Sequence, residues 1–301
     1  MVNQEITLPI LKDKQVSLFI KREDHLHPFI SGNKYRKLKY NLLEAKKRQA
    51  ATILTFGGAY SNHIAATAYA GYENGFNTVG VIRGEEIADV WQKNPTLKFA
   101  NAHGMEFKFV SREVYRNKQD ELFLNELQSQ FKSCYILPEG GANMLAVEGC
   151  EEILTMSDAC FDTVCCAVGT GGTISGIINS SQKHQNILGF PAVKGSFLTE
   201  DIRSFVSSNN WSLQTDYHFG GYAKINLELI NFINDFYEQT KIPLDPIYTA
   251  KMIYGLLDLV KNNYFQPYAK ILAVHTGGLQ GVAGMNAMLL KKKMPLININ
   301  N

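Results

Sequence analysis

The sequence predicts an α/β fold of parallel sheets with helices on both faces, and three observations carry that reading. Short apolar, β-rich runs alternate with helical patterns along the whole chain, as a sheet buried between helices requires. The small-residue stretches "FGGAYSNH", "AVGTGGT" and "HTGG" each follow such a run. The 301 residues are 45% hydrophobic and 19% charged, which suits a globular chain with a substantial core and, by length, about two domains.

In chain order, "VSLFIKRED" reads as a strand and leads into a helix within residues 28–50, "PFISGNKYRKLKYNLLEAKKRQA". Asn33, an N-cap type of residue behind Gly32, is expected to open it. At 3.6 residues per turn, Lys34, Leu38, Leu42 and Ala45 share a stripe with Tyr35 at its edge. Arg36, Lys37, Lys39, Glu44, Lys46 and Lys47 fall elsewhere, as a solvated face would. "ATILTFG" is a strand, and "SNHIAATAYAGYENG" a helix ended by Gly75. "NTVGVIRG" and "MEFKFVS" are strands flanking a helix, "NPTLKFANAHG", that ends at Gly104. The helix through "DELFLNELQSQF" precedes the strand "CYILPEGG", and "FDTVCCAVGTGGTISGIINSSQ" is strand, turn and helix. "ILGFPAV" and "KILAVHTGG" are further strands, and no repeat of fixed period appears. Ligands of parallel α/β sheets bind at the C-terminal ends of strands, so the three small-residue turns are expected to outline one cleft on one sheet edge.

A formal net charge of +2 gives no reason to expect nucleic acid, and the lysines are dispersed apart from "LLKKKMP", a solvated helix end. Charges begin early, at Glu5, Lys12, Asp13 and Lys14, with no signal-peptide core. No apolar run approaches the ~20 residues of a membrane span. A soluble, cytoplasmic chain without a membrane partner is the expectation. Cys134, Cys150, Cys160, Cys165 and Cys166 lack C-x-x-C spacing, so no disulfide is expected. His25 and His27 have no third ligand candidate at suitable spacing, so neither is a metal.

Two readings are open for Lys34. Its stem can lie on the core with the amine snorkelling to water, or a partly buried amine can lose its proton and attack a carbonyl, as Schiff-base lysines do. In "AVGTGGTISG", Gly169, Gly171 and Gly172 let backbone N–H groups approach an anion at a helix N-terminus, and Thr170 and Thr173 add hydroxyls. That is a phosphate cup or else a tight strand–helix turn. No Lys-Ser or Lys-Thr follows, so it is not a Walker loop. Ser61 and Asn62 open another helix, where they either cap it or make a carboxylate or phenolate pocket. His63 reads as a packed or capping histidine. Tyr222, Tyr248 and Thr276 stand beside turns, where core packing and strand-end capping compete with a site role.

Together, "KREDHLHPFISGNKYRKL", "FGGAYSNH", "EGGAN", "VGTGGT", "LDPIYTAK" and "HTGG" resemble, in this order, the D-cysteine desulfhydrase / 1-aminocyclopropane-1-carboxylate deaminase family. These are pyridoxal 5'-phosphate enzymes of the tryptophan-synthase-β-like fold, and the likeness runs over residues 9–281. It implies a large domain, residues 1–50 plus 142–301, and a smaller inserted α/β domain, residues 51–141. It implies Lys34 as the Schiff-base lysine and Gly169, Thr170, Gly171, Gly172 and Thr173 as the phosphate loop. Asn62 would bond the pyridoxal hydroxyl, and Ser61, with the turn that includes His63, would hold the substrate carboxylate. Tyr248 would lie against the pyridine ring, Tyr222 would face the substrate, and Thr249 and Thr276 would stand near the cofactor. A small amino-acid substrate and a homodimer are expected.

Within that family, the deaminases resemble one another in a glutamate just after the ring tyrosine, able to keep the pyridine nitrogen protonated. Here that position is Thr249, and a hydroxyl makes a weaker electron sink. Thr276 also matches the desulfhydrase-like branch, so the expected reaction is α,β-elimination, D-cysteine to pyruvate, sulfide and ammonia. Tyr60 replaces a glutamine of many members and is expected to alter the carboxylate pocket. Lys34 or a group on the opposite face would remove the Cα proton. The rival readings are cyclopropane opening, serine or threonine dehydration, β-replacement, racemisation, a non-catalytic binding protein of this fold, and a nicotinamide oxidoreductase that leaves Lys34 unexplained.

Overall fold

The computed structural model describes residues 1–195 and 197–299. Its first part runs β1 (Asn3–Ile6), α1 (Pro9–Asp13), β2 (Ser17–Lys21), α2 (Asn33–Lys47), β3 (Thr52–Gly57), α3 (Asn62–Asn74) and β4 (Asn77–Arg83). Then come α4 (Pro95–Ala102), β5 (Met105–Val110), α5 (Arg112–Arg116), α6 (Glu121–Gln130), β6 (Cys134–Leu137), α7 (Met144–Glu151), β7 (Thr163–Val168) and α8 (Gly172–Ser180). The remainder is β8 (Asn186–Pro191), α9 (Phe197–Arg203), β9 (Trp211–Leu213), α10 (Leu227–Thr240), α11 (Thr249–Lys261), β10 (Lys270–Val274) and α12 (Gly281–Lys291).

Two sheets result. One has the order β1-β2-β10-β7-β8-β9 and the other β5-β4-β3-β6. Every pairing is parallel except β1 with β2. The parallel α/β class is therefore the one the alternation predicts. The strands that the sequence pattern does not reveal, β1 and β9, are the two edges of the larger sheet. Each is three or four residues long with mixed burial, too short for a period to show.

The central strands read as continuous apolar runs because both faces are covered. All six residues of β7 are buried. Alternate side chains serve alternate layers. Cys165, Ile271 and Ala273 join the core under α10 and α11, while Cys166, Leu272 and Val274 pack with Ile174, Ile177 and Ile178 of α8.

Helix α2 departs from its predicted amphipathic form. Leu38 and Ala45 pack with Ile53, Tyr135 and Leu137 on the smaller sheet and with Ala66 of α3, yet Lys37 and Asn41 are also buried, at 2% and 1% exposure. Asn41 Oδ1 accepts from the Tyr135 hydroxyl and the Asn143 amide, both at 2.7 Å. The helix is wedged between two packed layers, so the supposedly solvated Lys37 faces protein. Among the described residues no helix is long and apolar enough to cross a membrane.

Candidate active site

A cavity of about 680 Å³ opens between the two sheets. Its walls are the start of α2, the turns after β3, β7 and β10, and the residue that opens α11. The three small-residue turns do meet, but not on one sheet edge: the turn after β3 belongs to the smaller sheet and the other two to the larger. The cleft thus lies between the two sheets.

Gly32 makes the junction possible. Its φ is +43°, and a Cβ there would lie 2.3 Å from the Thr276 carbonyl oxygen. Only glycine lets the start of α2 seat against the turn after β10, where the Thr276 carbonyl accepts from Asn33 N–H at 3.3 Å. Ser31 Oγ accepts from Gly278 N–H across the same seam. Asn33 does not cap the helix as predicted. Gly32 occupies the N-cap position, and the Asn33 amide donates to Thr173 Oγ1 at 2.8 Å. Lys34 then projects into the cavity. Burial, helped by the nearby Lys37 ammonium, pushes its amine down to about 7, so much of it is free base at neutral pH.

The turn after β7 faces that amine. Gly171 has φ +81°, and a Cβ at Gly169 would sit 3.1 Å from the Tyr248 ring. Lys37 closes the other side, donating to the Gly140 carbonyl at 3.0 Å and the Thr170 hydroxyl at 3.4 Å. A Cβ at Gly172 would lie 3.3 Å from its Nζ. Burial lowers the Lys37 pKa, and no carboxylate forms an ion pair with it among the described residues. A buried cation without a counter-charge is costly, and an anion in this cradle would offset the cost. Sequence spacing carried the signal: Lys37 is one turn beyond Lys34, so both amines leave the helix in nearly one direction.

Opposite, Ser61 caps α3, its Oγ accepting from the N–H groups of His63 and Ile64 at 3.2 and 3.4 Å. The hydroxyl proton remains available to a ligand. Asn62 lines the cavity, and its Oδ1 is buried without a partner, the kind of orphan atom a ligand hydroxyl satisfies. His63 is buried at the cavity wall. Thr55 Oγ1 gives its only proton to the Leu137 carbonyl, so His63 Nε2, 2.8 Å away, must be the protonated nitrogen. Nδ1 is shut behind Gly141 without a partner. Burial, and then Lys34 and Lys37, hold the ring neutral, well below its ordinary pKa.

Tyr248 is held by a buried acid. Asp245 accepts from the N–H groups of Ile247 (3.0 Å), Tyr248 (3.2 Å) and Thr249 (2.7 Å), and from the Thr249 hydroxyl (2.9 Å). Thr249 is fully buried and stands off the cavity wall, because that hydroxyl serves Asp245. Thr276 does line the cavity. Tyr222 meets Tyr248 edge to face at 6.2 Å, from a loop in which Phe219, Gly220, Gly221 and Ala223 all have positive φ. The buried Lys251 of α11 holds that loop, donating to the carbonyls of His218 and Gly221 at 2.8 Å each. Tyr60 turns out of the site: its ring packs over Gly284 and is not part of the wall. Motif reading singled out neither Asp245, which gathers three backbone N–H groups and the Thr249 hydroxyl, nor Lys251, whose partners are two backbone carbonyls.

The wall therefore fits a phosphate-bearing aldehyde, with an anion cradle and buried cation at one end, a free-base amine beside it and an unpartnered amide oxygen across from it. The comparisons agree. A profile of the family described as pyridoxal-phosphate dependent enzyme matches residues 5–277. A Thermotoga maritima protein named "Putative 1-aminocyclopropane-1-carboxylate deaminase" is 31% identical, with 91% of this chain and 92% of the relative covered. An Arabidopsis thaliana protein named as a bifunctional, mitochondrial D-cysteine desulfhydrase/1-aminocyclopropane-1-carboxylate deaminase is 30% identical over 88% of this chain and 73% of its own. A solved structure described as an ACC deaminase homologue superposes with TM-score 0.82 at 27% identity, covering 97% of this chain and 94% of the other.

Proposed function

We propose a reaction for this chain, which belongs to the pyridoxal-phosphate-dependent enzymes: α,β-elimination on cysteine, the D-isomer by preference, to pyruvate, sulfide and ammonia. In this reading residues 1–50 with 142–301 form the large domain, residues 51–141 the smaller one, and two copies make a homodimer. The bound cofactor supplies an aldehyde and a conjugated ring that draws electrons from Cα. Lys34, largely free base at neutral pH, would be the amine that holds the aldehyde, and its nitrogen can carry a proton at the cavity wall. The cup from Gly169 to Thr173, closed by Lys37, holds the phosphate. The N-terminus of α3 with Ser61 would orient the substrate carboxylate, Asn62 would take the ring hydroxyl, and Tyr248 and Tyr222, in edge-to-face contact, would exclude water from one side.

One observation carries the choice of reaction. The acid nearest the ring tyrosine, Asp245, has both oxygens committed to three backbone N–H groups and the Thr249 hydroxyl. The carboxylates on the cavity wall are Glu139 and Asp201, and Glu139 is bonded to Tyr115 and Lys118. Among the described residues, neither Asp245 nor Glu139 is free to keep a pyridine nitrogen protonated, and the residue after the ring tyrosine is a threonine. Elimination tolerates a weak electron sink because charge leaves with the thiolate, whereas cyclopropane opening has no leaving group to relieve it. Each ~1.4 kcal/mol of lost stabilisation costs tenfold in rate. The names of the two relatives favour deaminase activity as the second reading. Purified holoenzyme given D-cysteine, L-cysteine and 1-aminocyclopropane-1-carboxylate decides between them. Sulfide with pyruvate, and little 2-oxobutyrate, is expected. Efficient 2-oxobutyrate release would overturn the argument from Asp245 and Thr249.

A further inference from the structure

At the outer rim of the cavity stands a group of charges that the reaction above does not use. Arg83, at the end of β4, is exposed and lines the cavity. Its guanidinium lies 5.8 Å from the centre of the Tyr115 ring, and a Cβ on Gly58 would sit 3.7 Å from Nη2. Lys118 Nζ approaches the same ring, at 5.1 Å. Glu139 joins the group, accepting from the Tyr115 hydroxyl at 2.7 Å and pairing with Lys118 at 3.1 Å.

The charges do not cancel. Glu139 neutralises Lys118, and the neighbouring acid Glu86 pairs with Arg112 at 2.6 Å. That leaves Arg83 facing the cavity with no ion pair among the described residues. The donors suited to an amino acid's own carboxylate, Ser61 and the N-terminus of α3, are supplied separately. Tyr222, 43% exposed, borders the same rim. A guanidinium held on an aromatic face, with its fork free, is built to bind a carboxylate, sulfonate or phosphate.

We infer that Arg83 forms a subsite for a negatively charged β-substituent, so that of two amino acids matched in size this enzyme binds more tightly the one that carries a second anion on Cβ. The inference rests on the elimination reading only in locating the β-substituent at the rim. Aspartate and asparagine match in size and differ in charge, which makes them the probes. Each enantiomer is titrated into holoenzyme at low salt, and binding is read from the cofactor's absorbance. Aspartate should bind roughly tenfold more tightly than asparagine, with the preference shrinking as salt rises. Arg83→Met should bring the ratio to about one and leave asparagine unchanged, and Arg83→Lys should fall between. Glu139→Gln, which unmasks Lys118, should widen the preference. A wild-type ratio of one, or a ratio that survives Arg83→Met, overturns the inference. Equal weakening of both probes also overturns it, because Arg83 would then be holding the shared α-carboxylate. If wild type eliminates nothing from any β-substituted amino acid while the aspartate preference persists, the reaction fails and the subsite stands.

Discussion

The inner and outer ends of the cavity recognise charge by opposite means. At the inner end, glycines bring backbone N–H groups to the ligand, and Lys37 is buried to 2% exposure with only a carbonyl and a hydroxyl as partners. At the outer end, Arg83 is exposed and steadied by a ring. A buried cation lacking a counter-ion is a commitment to one anion, because removing that anion leaves the charge stranded in low dielectric. An exposed cation stays hydrated and can exchange partners cheaply. The inner end should therefore govern cofactor affinity, and the outer end substrate choice.

Replacing Lys34 tests the inner end most severely. Lys34→Ala should fold and lose turnover by roughly a thousandfold or more, and borohydride trapping of wild type should label Lys34 alone. A label on Lys37 would interchange the roles of the two amines. The pH response is a second reading of the same residue. Its folded value of about 7 lies below the ordinary 10.5, so the unfolded chain binds more protons between those values. Stability of the cofactor-free protein should rise with pH across that window and fall as pH drops toward 7. Lys34→Ala should flatten part of the slope in chemical denaturation. Cofactor uptake should quicken through pH 7 as the amine loses its proton.

Lys37→Met comes next. Cofactor affinity should fall about 10- to 100-fold, the range for a hydrogen bond to a charged group, while the cofactor-free protein keeps or gains thermal stability because a stranded cation is gone. Loss of stability with unchanged affinity would make Lys37 a structural residue. The smallest effect belongs to the rim. Tyr222→Phe should change substrate KM and leave cofactor affinity within about twofold, within the ±0.5 kcal/mol usual for a change outside the buried contacts. A large drop in cofactor affinity would erase the division between the two ends.

Sequence legibility divides along the same line. Glycines at strand ends announce a backbone cradle, and "GNK" with "GTGGT" places Lys34 opposite it through resemblance. Lys37 was misread because charge alone assigns a lysine to water, although its spacing from Lys34 puts it on the same face, and its partners are groups more than a hundred residues away. Thr249 is adjacent in sequence to Tyr248, yet its side chain turns into the helix cap. His63 is packed and also lies on the cavity wall, so the reading from its residues and the one from the motif each describe part of its position. The rim was illegible: residues 83, 115, 118 and 139 come from separate elements, each unremarkable alone. Its members meet only once the smaller sheet has formed.

The position of β10 bears on how the molecule is made. It lies between β2 and β7, so the larger sheet has a gap at its centre until residues 270–274 arrive. The smaller sheet uses only residues 52–137 and can close while the ribosome is still translating the rest, as N-terminal units generally do. Gly32 finds the Thr276 carbonyl only after residue 276 has emerged. Lys34 accordingly acquires its pocket only once β10 has been made, and a nascent chain stopped short of β10 should carry that lysine as an ordinary, protonated one.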